Sequence, residues 1–187
     1  LADHYIATEL VNREQISYST ESIYRSELRL WILPKWGSYS MAELNELLAV
    51  EIEKWLGTLP VASSSKSKTK YVFSALCSHA MRWGWLTRNP VQGARQSAKS
   101  KRNKIPLTFE ELQALMLRLD QMDHLLVLLD VPTGLRVSEL LALQWRDVDF
   151  ESKVLNVEKS IWHQRVGRVK TRLSDSQMPL DDEMIED

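Results

Sequence analysis

The chain has 187 residues, of which 44% are hydrophobic and 26% are charged, and its formal net charge is −1 at pH 7. This composition is close to that of ordinary globular proteins and excludes the disordered, collagen-like and mucin-like classes. The length allows one large domain or two modest ones, each with its own core. The sequence therefore predicts a folded protein of one or two domains.

Targeting and metal-binding signals are missing from the sequence. No apolar run approaches the roughly 18 residues needed to span a bilayer, and the N-terminus does not have the pattern of a signal peptide. The single cysteine, Cys77, cannot form an internal disulfide, and no Cys/His cluster has metal-ligand spacing. We expect a soluble, intracellular protein. Because the sequence does not begin with Met, we also expect it to be part of a longer one.

The first half of the sequence shows the spacing of amphipathic helices, with apolar residues three or four positions apart. Each apolar stripe ends at a proline or a glycine, residues that break helices. The stripes are Tyr24, Leu28, Trp31 and Ile32; then Leu44, Leu47, Leu48, Ile52, Trp55, Leu56 and Leu59; then Val72, Leu76, Ala80 and Trp83. Together with residues 1–13, they predict a four-helix unit over residues 1–95, with Pro34 and Gly37 ending its second helix.

A serine-rich segment, residues 63–69, precedes the last of these helices. Its hydroxyl groups are suited to capping the helix N-terminus, and Lys66 and Lys68 would lie beside that end. Exposed amides and cations at a helix N-terminus favour a phosphate group. The segment therefore predicts a phosphate contact.

The near-neutral net charge hides a strongly polarised sequence. From Lys54 to Phe109 every charged residue is Lys or Arg, whereas acids concentrate in residues 43–53, 147–151 and 181–187. A basic stretch that also contains Ser, Thr and Asn suits contact with a DNA backbone. The residues that we assign to DNA binding are Lys66, Lys68, Lys70, Arg82, Lys99, Lys101, Arg102 and Lys104. The alternative is a solvated helix face followed by a flexible basic linker, and charge alone does not decide between them.

A basic linker separates the four-helix unit from a second predicted domain. Residues 96–106 carry cations and almost no apolar side chains, which is typical of an interdomain linker. Residues 107–187 form the second predicted domain. Thr108 and Glu111 have the spacing of a capping box, so a helix should begin there.

A buried helix and a small sheet are expected in this second domain. The apolar run Leu125–Leu129 predicts a central helix that ends near Val131, because a residue before proline disfavours helical backbone. Strand-like composition follows in three segments, namely Val154–Val157, Ile161–Val166 and Gln177–Leu180. The expected fold is therefore mainly α with a small antiparallel β-sheet.

The segment from Thr133 to Asp149 carries the strongest functional signal. Pro132 and Gly134 predict a tight turn, and Arg136 would enter the first turn of a helix held in the core by its leucines. A guanidinium fixed in this way offers planar donors that stay charged, as the transition state of a phosphodiester requires. The alternative is a surface arginine that only pairs with Glu139, one helical turn away.

The sequence TGLRVSE, which ends at Glu139, is followed by LQWRDVD and resembles the first catalytic block of tyrosine recombinases, the phage-integrase family. The resemblance implies that Arg136 is the first of two phosphate-binding arginines and that Glu139 supports it. It also implies a catalytic lysine in a β-hairpin. Lys170-Thr171, followed by MPL, matches that motif, with Lys170 as the general acid for the leaving 5′-oxygen. The alternative for Lys170 is an exposed strand lysine.

The first half resembles the core-binding domain of the same family, through Tyr24–Leu28 and Ala80–Leu86, the latter followed by Asn89-Pro90. The resemblance implies a four-helix, SAM-like core-binding domain followed by a truncated α+β tyrosine-recombinase catalytic domain. It implies that double-stranded DNA is gripped from opposite sides and is broken and rejoined through a 3′-phosphotyrosyl intermediate, without a metal, ATP or other cofactor. The full-length protein would act as a homotetramer on DNA, in the bacterial cytoplasm at the nucleoid.

The later motifs of the family do not occur in these residues. A His-x-x-Arg helix and the nucleophilic tyrosine would follow Leu180, and neither is present. All of the tyrosines precede Arg136, and they are Tyr5, Tyr18, Tyr24, Tyr39 and Tyr71. His163 has no arginine three residues later. We therefore expect this chain to bind DNA without cutting it.

Two other functions stay open at this point. One is a naturally truncated, non-catalytic DNA-binding protein that occupies recombination sites or regulates the complete enzyme. The other is a helical protein-interaction module, which would have no salt-dependent affinity for DNA. The coding frame after Asp187 separates the first of these from a recombinase, since a recombinase continues into the missing motifs.

Overall fold

The computed structural model describes residues 1–11, 16–97, 105–168 and 176–180. The chain divides into two compact units, Leu1–Lys104 and Ile105–Asp187. Much of the predicted linker lies outside the described residues, so its bounds stay a prediction. In the part of the chain that is described, no helix combines the length and the apolar character needed to cross a membrane.

Helices and short turns make up the described part of the first unit. The elements are α1 (Ala2–Tyr5), continued by a π-helix over Ile6–Val11; α2 (Tyr18–Glu27), continued by a π-helix over Leu28–Ile32 into α3 (Leu33–Trp36); α4 (Met41–Glu46); α5 (Ala49–Thr58); and α6 (Ser63–Arg82). Over the described residues these elements form five helical stretches, which agrees with the predicted mainly α fold class, although the apolar spacing predicted four helices.

The core of the first unit contains three packed aromatic rings. Phe73 is 1% exposed, and its ring stacks on Trp36 and meets Trp55 edge-on, with both centroid distances at 5.9 Å. Trp36 and Trp55 pack edge to face at 5.5 Å. Such arrangements add favourable electrostatics to a large buried apolar area. The three rings therefore join α3, α5 and α6.

Buried aliphatic side chains surround these rings, and most of them belong to the predicted stripes. They are Leu28, Ile32, Leu44, Leu47, Ile52, Leu56, Leu59, Val72, Leu76 and Ala80. Leu48 and Trp83 are exceptions, since they are 57% and 51% exposed. Cys77 is buried among them, and burial raises the pKa of its thiol to about 12, so the thiol is an inert packing group.

The predicted end of the second helix at Pro34 is wrong, because the helix continues to Trp36. The π-helix over Leu28–Ile32 precedes the proline, and Pro34 then occupies the first turn of α3. Proline is tolerated in a first helical turn, where its missing N–H group has no required partner. The chain leaves the helix at Gly37, as the sequence predicted.

The second predicted stripe forms two helices instead of one. Leu47 and Leu48 adopt extended ψ angles of 127° and 144°, and these residues separate α4 from α5. The Arg88 guanidinium donates to the carbonyls of Asn45 and Leu47, at 2.6 and 2.9 Å. The Glu51 carboxylate accepts from the Leu48 backbone N–H at 2.9 Å. The side chains of Glu51 and Arg88 thus stabilise the break between α4 and α5.

The serines of residues 63–69 do not cap the last helix from outside, contrary to the prediction. Helix α6 begins at Ser63, and its N-cap residue is Ala62, which provides no side-chain hydrogen bond. The serines and lysines of the segment therefore lie within the helix itself. Its C-terminal end, at Gly84 with a φ of +71°, agrees with the predicted stop.

The second unit combines short helices with short strands. Its helices are α7 (Phe109–Met116), α8 (Gln121–Thr133), α9 (Val137–Leu140) and a 3-10 helix over Trp145–Asp147. Its strands are β1 (Val148–Asp149), β2 (Val154–Val157), β3 (Lys159–Trp162), β4 (Arg165–Arg168) and β5 (Ser176–Pro179). The buried core is small and consists of Leu135, Leu140, Leu155, Val157 and Leu180.

The helix starts of this unit follow the sequence, whereas one helix end does not. The capping box of Thr108 and Glu111 is confirmed, with each backbone N–H bonded to the other side chain. Helix α8 passes through Pro132 and ends at Thr133, not near Val131. The proline lies in the last turn, and Gly134 ends the helix in the left-handed conformation at a φ of +59°. The run Leu125–Leu129 is half-buried, not fully buried.

The strands form two separate sheets instead of one. Strands β1, β2 and β5 make a three-stranded antiparallel sheet, with β2 in the centre. The predicted strand Ile161–Val166 is a hairpin, because β3 and β4 pair with each other around a turn at His163 and Gln164. Alternating composition is the same on both arms of a tight hairpin, so it did not indicate the turn.

Burial in the first unit predicts a large stability difference between two leucines. Leu56→Ala removes a side chain with 0% exposure and should lower the free energy of unfolding by about 2–5 kcal/mol. Leu48→Ala, at an exposed site, should change it by less than about 0.5 kcal/mol. Urea unfolding followed by tryptophan fluorescence measures both. Equal losses in the two variants would contradict this core assignment.

Candidate nucleic-acid interface and phosphate-binding residues

Three lysines of the basic stretch lie on the first two turns of α6. Lys66 Nζ donates to the Gly57 carbonyl at 2.8 Å, close to the end of α5. Lys70 Nζ donates to the Ala94 carbonyl. Through these contacts the two ammonium groups connect α6 to neighbouring segments of the chain. Lysines assigned to DNA from charge alone thus also stabilise the fold.

Lys68 lies on the solvent-exposed face of the same helix. Among the described residues it has neither a hydrogen bond nor an ion pair, and Tyr71, nearly one turn later, is 65% exposed. Ser64 and Ser78 are exposed positions of the same face. A cation, a phenol and hydroxyl groups along one helix face are suited to phosphate oxygens and groove edges. This face is the candidate nucleic-acid interface of the first unit.

Arg82, at the end of α6, contacts a carboxylate of its own chain. Its guanidinium pairs with Glu9 Oε1, and Glu9 lies on the π-helix near the N-terminus. His79 Nδ1 approaches the same oxygen at 3.0 Å, and His4 Nδ1 lies 2.9 Å from His79 Nε2. Sequence reasoning missed this cluster, because Glu9 and Arg82 are 73 residues apart. Arg82 is still 56% exposed, and its assignment to DNA stays a prediction.

His79 is fully buried within this cluster. Burial lowers the pKa of its imidazole, the Glu9 carboxylate raises it, and electrostatic interactions with His4 and Arg82 lower it. The ring of Tyr5 also faces it edge-on, with centroids 5.3 Å apart. The cluster joins the N-terminal helix to α6, so the protonation of His79 bears directly on that contact.

Arg136 is the N-cap residue of α9, not a residue of its first turn. Its backbone is extended, with a φ of −70° and a ψ of 145°, and Gly134 supplies the preceding turn. Arg136 N donates to Glu139 Oε2 at 3.0 Å, and Arg136 Nη1 donates to Glu139 Oε1 at 2.8 Å. One carboxylate therefore fixes both the backbone and the guanidinium of Arg136.

The burial of these two side chains is strongly unequal. The Glu139 side chain is 4% exposed and the Arg136 side chain 54% exposed. Leu135 and Leu140, on either side in the sequence, are both in the core. The buried Glu139 carboxylate limits the rotation of the Arg136 guanidinium, which exposes a charged, planar surface to solvent. Such a group is suited to a phosphodiester oxygen.

The predicted Arg136–Glu139 ion pair is thus present, and it is compatible with both interpretations of Arg136. The leucines predicted to anchor this helix are not equivalent, because Leu140 is 7% exposed and Leu141 is 54% exposed. Helix α9 is only four residues long; Leu140 is its buried leucine, and Leu143, after the helix, packs against the same core.

Five of the predicted site residues lie outside the described residues. They are Lys99, Lys101, Arg102 and Lys104 of the basic stretch and the predicted general acid Lys170. Their assignments stay predictions. Strand β4 ends at Arg168, two residues before Lys170.

Three of the described tyrosines, Tyr5, Tyr24 and Tyr71, have rings that lie close to one another in the first unit. Burial and a hydrogen bond with Tyr71 raise the pKa of Tyr24 above its ordinary value. Tyr5 stacks near Tyr24, with ring centroids 6.4 Å apart. These rings pack against one another within the first unit, as expected of structural aromatics.

Comparison with known proteins identifies the second unit. Residues 106–186 match the model of the phage integrase family, and this segment contains Arg136, Glu139 and Lys170. The second unit belongs to this family. The family suggested by the TGLRVSE segment is therefore confirmed.

Two curated relatives have the names of recombinases. The chain is 37% identical over 79 residues to tyrosine recombinase XerC of Chlamydia muridarum, and this match covers 39% of the chain and 25% of that protein. It is 33% identical over 89 residues to prophage integrase IntR of Escherichia coli K12, which covers 46% of this chain and 22% of that protein. The chain thus spans about a quarter of the length of these relatives.

Solved structures extend the likeness of fold to the whole chain. The Tn1549 transposon integrase, in complex with a circular intermediate DNA, superposes with a TM-score of 0.79 at 17% identity. That match covers 98% of this chain and 62% of the other. A lambda integrase dimer bound to a COC′ core site gives a TM-score of 0.71 at 21% identity, over 96% of this chain and 58% of the other. The likeness of fold to these integrases therefore includes both units.

The buried cluster predicts a pH dependence of stability. Because the pKa of His79 is lowered in the folded state, the unfolded chain takes up a proton more readily than the folded one. The free energy of unfolding should therefore be highest above the ordinary histidine pKa of about 6.5 and should fall as the pH drops below it. Urea unfolding across this range measures the slope.

A pair of variants separates this effect from general acid denaturation. His79→Gln keeps hydrogen-bonding groups near Glu9 and should flatten the pH dependence, whereas His163→Gln, at an exposed turn, should leave it as in the unchanged protein. An unchanged slope in His79→Gln would refute the assignment.

Proposed function

We propose that this chain is the DNA-binding part of a site-specific tyrosine recombinase, an integrase that breaks and rejoins DNA through a 3′-phosphotyrosyl intermediate. The observation that carries the proposal is the guanidinium of Arg136, held at the surface by the buried carboxylate of Glu139 within the segment that matches the family. The integrases of similar fold were solved in complex with DNA, which supports duplex DNA as the partner.

In the first unit, the exposed face of α6 would bind the DNA backbone. Lys68 and Tyr71 would contact the backbone, with Lys66 and Lys70 adding positive charge beside them. The further cations Lys99, Lys101, Arg102 and Lys104 would follow the duplex as the chain passes to the second unit. Contacts of this kind give affinity that depends on salt and not on base sequence.

Arg136 and Lys170 divide the chemistry of the proposed reaction. Arg136 binds the scissile phosphate and stabilises the charge that develops on its oxygens, while Glu139 fixes the guanidinium. Lys170 protonates the 5′-oxygen as it leaves. The attacking tyrosine and the second arginine are not among these 187 residues, so the chain by itself would bind DNA without forming a covalent adduct.

The complete recombinase would act as a homotetramer on two duplexes, at the bacterial nucleoid in the cytoplasm. A naturally truncated, non-catalytic protein that occupies recombination sites is the second candidate function. Sequencing the reading frame that contains Asp187 distinguishes the two candidates.

The first prediction for this function concerns salt-dependent binding. Lys68→Gln removes an exposed cation without a described structural contact and should lower the magnitude of the slope of log affinity against log salt by about 0.9. Fluorescence anisotropy with a labelled duplex measures it over a salt series.

The control is Lys35→Gln, which removes one exposed cation of α3, outside the basic stretch. Its slope should equal that of the unchanged protein. Lys66→Gln and Lys70→Gln should lower the slope and also lower stability, because both side chains bond backbone carbonyls. A slope unchanged by Lys68→Gln would place α6 away from the duplex.

The second prediction concerns cleavage. In the complete recombinase, Arg136→Ala should preserve DNA binding but reduce cleavage of a suicide substrate by at least about 100-fold, the scale of losing a transition-state donor. Arg136→Lys keeps the charge without the planar donors and should recover little activity. The 187-residue chain should yield no DNA-linked tyrosine. Cleavage at the original rate by Arg136→Ala, or a covalent adduct from the 187-residue chain, would contradict these roles.

A further inference from the structure

Strands β3 and β4 form a hairpin that is separate from the main sheet of the second unit. Strand β2 precedes the hairpin and β5 follows it, and these two strands pair with each other. Among the described strands, β3 and β4 pair only with one another, from Lys159 opposite Arg168 to Trp162 opposite Arg165. The hairpin is therefore an insertion at one end of the sheet, not a part of its core.

The turn of this hairpin has an unfavourable backbone for its residues. His163 and Gln164 have φ angles of +45° and +62°, and they form the two-residue loop between Trp162 and Arg165. A loop with two positive φ angles is the type I′ turn, in which Asn-Gly is strongly preferred. Side chains larger than these are strained there, and strained residues concentrate at functional sites.

The end of the hairpin is exposed and carries no negative charge. Residues 163–167 are all exposed, and the stretch from Lys159 to Arg168 contains no Asp or Glu. The ring of Trp162 meets that of His163 edge-on at 4.2 Å, which orients the turn. Gln164 and Arg165 stand at the tip, and both residue types form paired hydrogen bonds with base edges in DNA.

The base of the hairpin is fixed to the part of the unit that holds Arg136. Lys159 Nζ lies 3.1 Å from Asp147 Oδ1, and the other oxygen of Asp147 accepts from Gln144 N at 3.0 Å. Gln144 is the fourth residue after the end of α9, and Arg136 is the N-cap of α9. An exposed tip on an anchored base has the rigidity that specific recognition requires.

We propose that the β3–β4 hairpin enters the major groove of the duplex and that Gln164 and Arg165 determine which base sequence is bound. The major groove admits a two-stranded β-ribbon, and glutamine and arginine there contact adenine and guanine with two hydrogen bonds each. The inference rests on the proposed DNA-binding function. It adds a sequence-specific contact to the phosphate contacts of α6.

Selection from a pool of random-sequence duplexes tests the proposal. The unchanged chain should enrich a motif, and Gln164→Ala and Arg165→Ala should each lose the preference at one or two positions of it. The loss should be roughly 5-fold to 150-fold in discrimination for each residue, the range of a two-hydrogen-bond base contact. Lys153→Gln, at the exposed turn between β1 and β2, is the matched control and should keep the full motif.

A turn variant separates a base contact from a structural role. His163→Asn combined with Gln164→Gly creates the preferred type I′ turn, so the hairpin should be at least as stable as before. A purely structural turn would keep the motif in this variant. The proposal requires the motif to weaken while thermal unfolding stays unchanged or shifts upward.

The groove is tested with modified DNA. The modified duplex carries 7-deazaguanine instead of guanine at the motif position where Arg165→Ala loses its base preference. This replacement removes a hydrogen-bond acceptor from the major groove alone. Affinity should fall by about the same factor as for Arg165→Ala. Unchanged affinity would overturn major-groove contact.

The outcomes distinguish this inference from the proposed function. Salt-dependent binding without any enriched motif, or a motif that survives all hairpin variants, would overturn the role of the hairpin and leave the DNA-binding function standing. The absence of salt-dependent binding by the unchanged chain would overturn both. Loss of the motif in Lys68→Gln but not in Arg165→Ala would assign specificity to α6 and refute the hairpin as the specific element.

Discussion

The geometry around Arg136 depends on one buried carboxylate. Glu139 is almost fully enclosed, and a buried charge without compensation is strongly destabilising. Arg136 compensates it twice, with its backbone N–H and with its guanidinium. Because α9 has only four residues, this carboxylate also does much to define where the helix begins. The requirement to neutralise Glu139 therefore keeps a positive charge at a fixed point of the surface, whether or not a phosphate is present.

A buried carboxylate also requires a cation in the first unit, where Arg82 pairs with Glu9. Glu9 lies mostly inside the unit, and the guanidinium of Arg82 and the ring of His79 surround its Oε1 atom. A cation that sequence charge alone assigns to DNA thus also joins the N-terminal helix to α6. Lys66, Lys70 and Arg88 have comparable structural contacts with backbone carbonyls. Counting the cations of a basic stretch therefore overestimates how many of them are available only for a nucleic acid.

Local sequence signals predicted the local features of the fold and failed where distant contacts decide. The capping box at Thr108 and the strand Val154–Val157 depend on neighbouring residues, and both were predicted correctly. The break at Leu47–Leu48 was missed because Arg88, some 41 residues later, stabilises it. The ion pair of Arg136 and Glu139 was predicted because their spacing is local. The Glu9–Arg82 contact joins two helices far apart in sequence and leaves no periodic signal.

The same arrangement of hydrogen bonds occurs at Arg136 and at the base of the β3–β4 hairpin. In each, a carboxylate three residues after an N-cap accepts from the N-cap backbone with one oxygen and from a cation with the other. Glu139 takes both donors from Arg136, whereas Asp147 takes one from Gln144 and one from Lys159. The bond from the N-cap backbone follows from the three-residue spacing. Which cation bonds the other carboxylate oxygen does not follow from the sequence. Because Asp147 also contacts Lys159 of β3, the segment that follows α9 orients the base of the hairpin.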